Sequence, residues 1–169
     1  MGRRRKNSSG RDLLLGAALT AGAYAAYKVS QWNRPVPEDT TALEFYHEEL
    51  LKAQQAELDS ALMYNALADL VTDPDTAEKL RGFAKDEADH ATIYYHLTRT
   101  ELTARDTRST AICTGYRLLG RAGTFGTLAT AEYTAAKACE HLCRHFPEIE
   151  MIRDDEIRHG DELLAMLKQ

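Results

Sequence analysis

The chain has 169 residues and a formal net charge of −5, enough length for one domain with a sizeable buried core. Residues 1–40 carry seven Lys or Arg against three acids, net +4, which leaves −9 on residues 41–169. That acidity excludes a nucleic-acid surface, which needs a basic patch, and an odd three cysteines without a CxxC pair exclude a disulfide framework.

The N-terminus reads as a basic cluster, Arg3, Arg4, Arg5, Lys6 and Arg11, followed by an apolar run over residues 13–27 and closed by Lys28, Trp32 and Arg34. Fifteen apolar residues fall short of the roughly 20 that a spanning helix wants, a gap that tilt or snorkelling by Lys28 closes. Three readings stay open: a membrane anchor, a removable targeting segment with Ala21 and Ala23 as a cleavage site, or a soluble helix. They place the protein either at a membrane through residues 13–27 or in the cytoplasm. Pro35 and Pro37 forbid a continuing helix. Residues 1–38 are therefore an extension with a linker, and a domain is expected over 39–169.

Four prolines in all, abundant Ala, Leu and Glu, and sustained helical periodicity predict an all-α domain. Thr41 with Glu44 makes a capping box that opens a first helix to about Val71. Its column at steps of seven is Leu43, Leu50, Glu57, Tyr64 and Val71, so Glu57 points inward. After the Thr72-Asp73-Pro74 break, Asp75 and Glu78 suggest the cap of a second helix, from about Thr76 to about Thr103. It carries the columns Leu80, Glu87, Tyr94 and Phe83, His90, Leu97. A third helix is expected from about Ala111 to about His145, with Gly115, Gly120, Gly123 and Gly126 weakening its first half. Its column is Leu118, Phe125, Glu132, Cys139, Phe146. Pro147 is placed to open a fourth helix to about Lys168, with the columns Ile149, Glu156, Leu163 and Ile152, His159, Met166.

The two halves match. Ala56-Glu57 corresponds to Ala131-Glu132, and Asp86-Glu87-x-x-His90 to Asp155-Glu156-x-x-His159. Residue 72 lies midway between Glu57 and Glu87, at the Asp73-Pro74 turn, and residue 144 lies midway between Glu132 and Glu156, beside Phe146-Pro147. Each pair therefore sits at one level of an antiparallel hairpin. Charged side chains on apolar columns are costly unless something compensates them. Two single glutamates and two Glu-x-x-His pairs, one contribution per helix, make the carboxylate-bridged two-metal site of ferritin-like four-helix bundles. Hard carboxylates bridge two divalent ions and balance their charge, and one imidazole per ion leaves positions open to dioxygen or peroxide. Glu140, the competing acid on the third helix, lies about 80° round from Glu132.

Residues 41–169, with AELDSALMY, KDEADHA, YRLLGRAGTFGTLATAEYTAA and DDEIRHGDELLAML, resemble the rubrerythrin branch of the ferritin-like superfamily. The rubrerythrin-type domains found beside vacuolar-type iron transporters are the nearest in pattern. The resemblance implies two iron ions, with manganese or a mixed pair suiting the same ligands, held by Glu57, Glu87, His90, Glu132, Glu156 and His159. It implies a di-iron peroxidase or ferroxidase, acting on hydrogen peroxide, dioxygen or Fe(II), with a separate electron-donor protein and a homodimer by analogy. Rubrerythrins carry a further Glu one turn after the third-helix ligand, where this chain has Ala135. Two other readings are an iron-binding or sensing module docked to a membrane transporter, and a di-iron oxygenase, since demethoxyubiquinone hydroxylases share the ligand pattern.

Several residues carry two readings. Tyr64 and Tyr94, each seven after a Glu of the cluster, are core aromatics or partners of ligands. Asp86 and Asp155 are acceptors for histidine N–H groups or face solvent. His47, His96, His141 and His145 have no matching partners and are expected at the surface, and the three cysteines are expected as small buried apolar side chains.

Overall fold

The computed structural model describes residues 35–168, and it is all-helical among them. The chain forms a compact unit from Pro37 onward. Helix α1 is Ala42–Ala68, α2 is Pro74–Thr98, α3 is Thr107–Cys139 and α4 is Ile149–Met166, with a short 3₁₀ turn at Leu142–Arg144. The most extensive packing joins α1 to α2 and α3 to α4, with α1 also lying against α3. The result is a helical bundle. The apolar run at residues 13–27 lies outside the described residues, and among those described no helix is long and apolar enough to cross a membrane.

Helix ends follow local chemistry. Thr41 caps α1: its hydroxyl accepts from the Glu44 N–H at 3.2 Å while Glu44 Oε2 accepts from the Thr41 N–H at 3.0 Å. α1 stops at Ala68, three residues before the expected end. α2 is capped by Asp73 rather than Asp75, because the Asp73 carboxylate accepts from the Thr76 N–H at 3.0 Å and Pro74 fills the first helical position, where no N–H is needed. It ends at Arg99, which adopts a left-handed backbone at φ 54°, so the chain peels off before Thr103.

The largest departure from expectation is in α3. The helix starts at Thr107 rather than Ala111, and Gly120 breaks it with φ 66° and ψ −167°. Tyr116 and Phe125, on either side, stack at 6.2 Å between ring centroids, closer than nine residues of straight helix would bring their backbones. The kink resets the helical phase. Leu118 was expected on the inward column with Phe125, but it is 78% exposed and Leu119 is 68% exposed. After Cys139 the chain tightens into the 3₁₀ turn, and α4 begins at Ile149, two residues after Pro147.

The main core cluster lies toward the α1–α2 turn: Met63, Tyr64, Leu67, Leu80, Phe83, Phe125, Leu128, Leu163 and Met166. Leu50, Tyr94, Cys139, Ile149 and Ile152 fill the other end. Between these two apolar layers sits a layer of buried acids and histidines.

Gly120 holds a conformation nearly confined to glycine, so Gly120→Ala should cost about 1–3 kcal/mol of stability. Gly115 has open space where a Cβ would go, and Gly115→Ala should stabilise the helix by up to about 1 kcal/mol. Urea denaturation of both variants checks the opposite signs.

Candidate metal centre

Each of the four helices delivers carboxylate or imidazole groups to the middle layer. α1 contributes Glu57, α2 Glu87 and His90, α3 Glu132, and α4 Glu156 and His159, and all six are buried. Each interrupts an apolar column, so helix packing itself carries it inward. Ligand-type atoms of Glu57, Glu87, His90 and Glu156 lie within 4.8 Å of one another, and so do those of Glu87, Glu132, Glu156 and His159. Glu87 and Glu156 belong to both groups. Glu140 is exposed and outside them.

The inner atoms lack the hydrogen bonds that burial demands. His90 Nδ1 stands 3.8 Å from both Glu57 Oε2 and Glu156 Oε1, and His159 Nδ1 stands 3.3 Å from Glu87 Oε1 and 3.9 Å from Glu132 Oε2. None of these approaches has hydrogen-bond geometry, so His90 Nδ1, His159 Nδ1 and Glu87 Oε1 are buried without a hydrogen-bond partner. Such atoms are costly inside a protein. Their convergence among carboxylates is the donor set that a hard or borderline divalent cation takes.

The outer nitrogens are fully engaged. His90 Nε2 lies 3.2 Å from Asp155 Oδ2, and His159 Nε2 lies 3.2 Å from Asp86 Oδ2. The contacts cross, since α2's histidine meets α4's aspartate and α4's histidine meets α2's aspartate. Carboxylates at Nε2 hold the proton there and leave the Nδ1 lone pairs directed inward. Of the two readings of Asp86 and Asp155, the structure has them as acceptors for the histidines.

Arg158 is the residue that sequence reasoning missed. Its guanidinium donates to Asp86 Oδ2 at 2.7 Å and to Asp155 Oδ1 at 2.8 Å, clamping both aspartates. The one sequence signal was its place three residues after Asp155, where helical side chains meet. Burial resists charge on Asp86 and Asp155, but Arg158 and the histidines outweigh it and hold both below the usual carboxylate range. Tyr64, fully buried, donates its hydroxyl to Glu132 Oε1; of its two readings, this is the partner of a cluster residue. Gly160, next to His159, lets the Tyr133 ring lie where a Cβ would stand, 2.7 Å from Tyr133 Cε1. His141 is buried rather than at the surface, 3.3 Å from Glu49 Oε1, in the segment that leads from α3 into the 3₁₀ turn.

Burial pushes the Glu57 carboxyl up to about 7, with the Glu132 charge adding to the effect. Glu87 and Glu156 go well above the carboxylate range for the same reason and through mutual repulsion. His159 is also raised: burial disfavours its charge, but Glu87, Asp86 and Glu132 prevail. All four groups hold protons more tightly folded than unfolded. Their contribution to stability is complete below about pH 4.5 for the glutamates and is lost as pH rises through their folded values. The chelator-treated protein should therefore lose thermal stability from pH 5 to pH 8, and Glu57→Gln should flatten that slope. Melting curves across this range test it; a melting temperature that rises with pH in the metal-free protein would refute it.

No protein-family model, no curated protein and no solved structure compared with the chain matches it.

Proposed function

We propose that the protein is a ferritin-like, two-hairpin, di-iron oxidoreductase of rubrerythrin type, reducing hydrogen peroxide or oxidising Fe(II). The observation that carries this reading is the pair of inward Nδ1 atoms without hydrogen-bond partners, set among four buried carboxylates. Glu57, His90, Glu87 and Glu156 would hold one ion, and Glu132, His159, Glu87 and Glu156 the other. Glu87 and Glu156 are thus the bridging candidates, and four carboxylates balance two divalent charges. Manganese suits the same donors, and the choice of iron rests on the resemblance of the sequence motifs. Bound iron supplies a one-electron couple at each position, which the side chains alone lack.

The protein's own groups do the rest. Asp155 and Asp86 fix the tautomers of His90 and His159, and Arg158 fixes the aspartates. Tyr64 orients the Glu132 carboxylate and can pass a proton to it or take one back. Phe83, packed 4.4 Å from His159 between ring centroids, keeps bulk water off that side.

The test is metal content of the full chain after anaerobic Fe(II) loading and removal of excess, followed by peroxide or air. About two irons per chain are expected, in keeping with the two overlapping donor groups. Glu57→Ala should lower this to one or none, and Glu87→Ala with Glu156→Ala should abolish binding while leaving a helical protein, since removing buried acids also removes their desolvation cost. Fast oxidation by peroxide supports the peroxidase, and oxidation by air with further Fe(II) uptake supports the ferroxidase. Failure of the wild type to retain metal would sink the reading.

A further inference from the structure

We propose that Arg158 is a positioning residue for both ion positions at once, so that one cation outside the cluster sets the metal affinity of the pair. The inference rests on the metal-site reading and goes beyond it: both ions weaken together when a single side chain outside the donor set is changed.

Connectivity carries it. A continuous polar path runs from one histidine to the other. His90 Nε2 lies 3.2 Å from Asp155 Oδ2, and the second oxygen of that carboxylate, Oδ1, accepts from Arg158 Nη2 at 2.8 Å and from Arg158 Nε at 3.2 Å. The same Nη2 donates to Asp86 Oδ2 at 2.7 Å, and Asp86 Oδ2 lies 3.2 Å from His159 Nε2. Asp86 belongs to α2 and Asp155 to α4, so one nitrogen joins two helices and two imidazoles. Nη1 donates to Glu162 Oε1 at 3.3 Å, one turn along α4, which holds the guanidinium in place.

Charge gives the path its direction. Nη2 brings a carboxylate oxygen from each helix against a single atom, and two negative charges that close repel unless a cation stands between them. Among the described residues no other Lys or Arg pairs with Asp86 or Asp155. Without Arg158 the aspartates separate, and each lets go of a histidine on the opposite helix. Asp155 releases His90, and Asp86 releases His159. Both Nδ1 atoms, buried without hydrogen-bond partners, then lose the orientation that faces them toward the glutamates. As an ion pair, a guanidinium 42% exposed adds little to overall stability. Its loss is therefore felt in binding rather than in folding.

The experiment uses the full chain, stripped of metal and titrated anaerobically with Fe(II) in competition with a chromophoric chelator. Wild type is compared with Arg158→Gln, Arg158→Lys and Arg81→Gln. Arg81 also pairs with an aspartate, Asp69 at 2.9 Å, but the pair is at the surface and reaches no histidine. Wild type should take about two ions per chain. Arg158→Gln should weaken both by about 10- to 100-fold, the usual effect of removing the support behind a metal-bound histidine. Arg158→Lys returns a cation with donors between the aspartates and should recover most of that loss, and Arg81→Gln should bind as wild type does. The metal-free forms of all four should melt within a few degrees of one another. Unchanged binding in Arg158→Gln would overturn the proposal, and so would the loss of one ion alone, since Arg158 would then serve one position; either result leaves the metal site standing. Metal-free Arg158→Gln and Arg158→Lys that both melt far below wild type would assign the residue to the fold and overturn the proposal too. Failure of wild type to retain Fe(II) would remove this inference and the metal-site reading together, and the wild-type titration alone shows that outcome.

Discussion

Four carboxylates and two imidazoles share one dry layer of a four-helix core, and the rest of the bundle is arranged around that constraint. Ionised acids this close, with contacts below 4.8 Å, repel strongly where water does not screen them. Without a cation the protein solves the problem by holding protons, which is why Glu57, Glu87 and Glu156 all resist ionisation. A divalent ion offers the other solution, releasing those protons and replacing repulsion with coordination.

The crossed aspartate–histidine contacts explain how the layer keeps its shape. α2 and α4 pack against each other least of the four helix pairs in contact. Polar contacts add to that packing: His90 to Asp155, His159 to Asp86, and Arg158 to both aspartates. The two helices are therefore tied through the histidines' outer nitrogens as well as through the core cluster that Leu80 and Phe83 share with Leu163 and Met166. Rotation of either helix would break its own histidine's contact and its aspartate's contact at once. The apolar layers above and below set the helix spacing, while this network sets the rotation.

Most of the middle layer was legible because burial leaves a periodic trace. Glu57, Glu87, Glu132 and Glu156 each stand alone on an apolar column of step seven, and nothing but an inward orientation accounts for that pattern. The rule needs an unbroken helix. Leu118 obeyed the spacing and failed in space, because Gly120 changes the phase and its φ cannot be told from that of Gly115 or Gly126 in a glycine-rich run. His141, expected at the surface because no partner matched it, is instead buried beside Glu49 of α1, a contact between helices that one helix's spacing does not show. Arg158 was hidden for a third reason. Its function lies in reaching another helix, and a single helix's periodicity marks it only as a polar residue beside the buried face.

Access to the layer bears on which chemistry suits it. His159, Glu87, His90, Glu156 and Glu132 are almost wholly sealed, and Glu57 is the most exposed of the six at only 7%. The shallow depression that Gln55 and Ala56 border with Thr100 and Leu102 is lined by none of the six. Exchange with solvent therefore requires α1 to part from its neighbours, against the packing that places the six side chains. The sealing that pushes the glutamates toward their protonated forms is thus also a barrier to exchange.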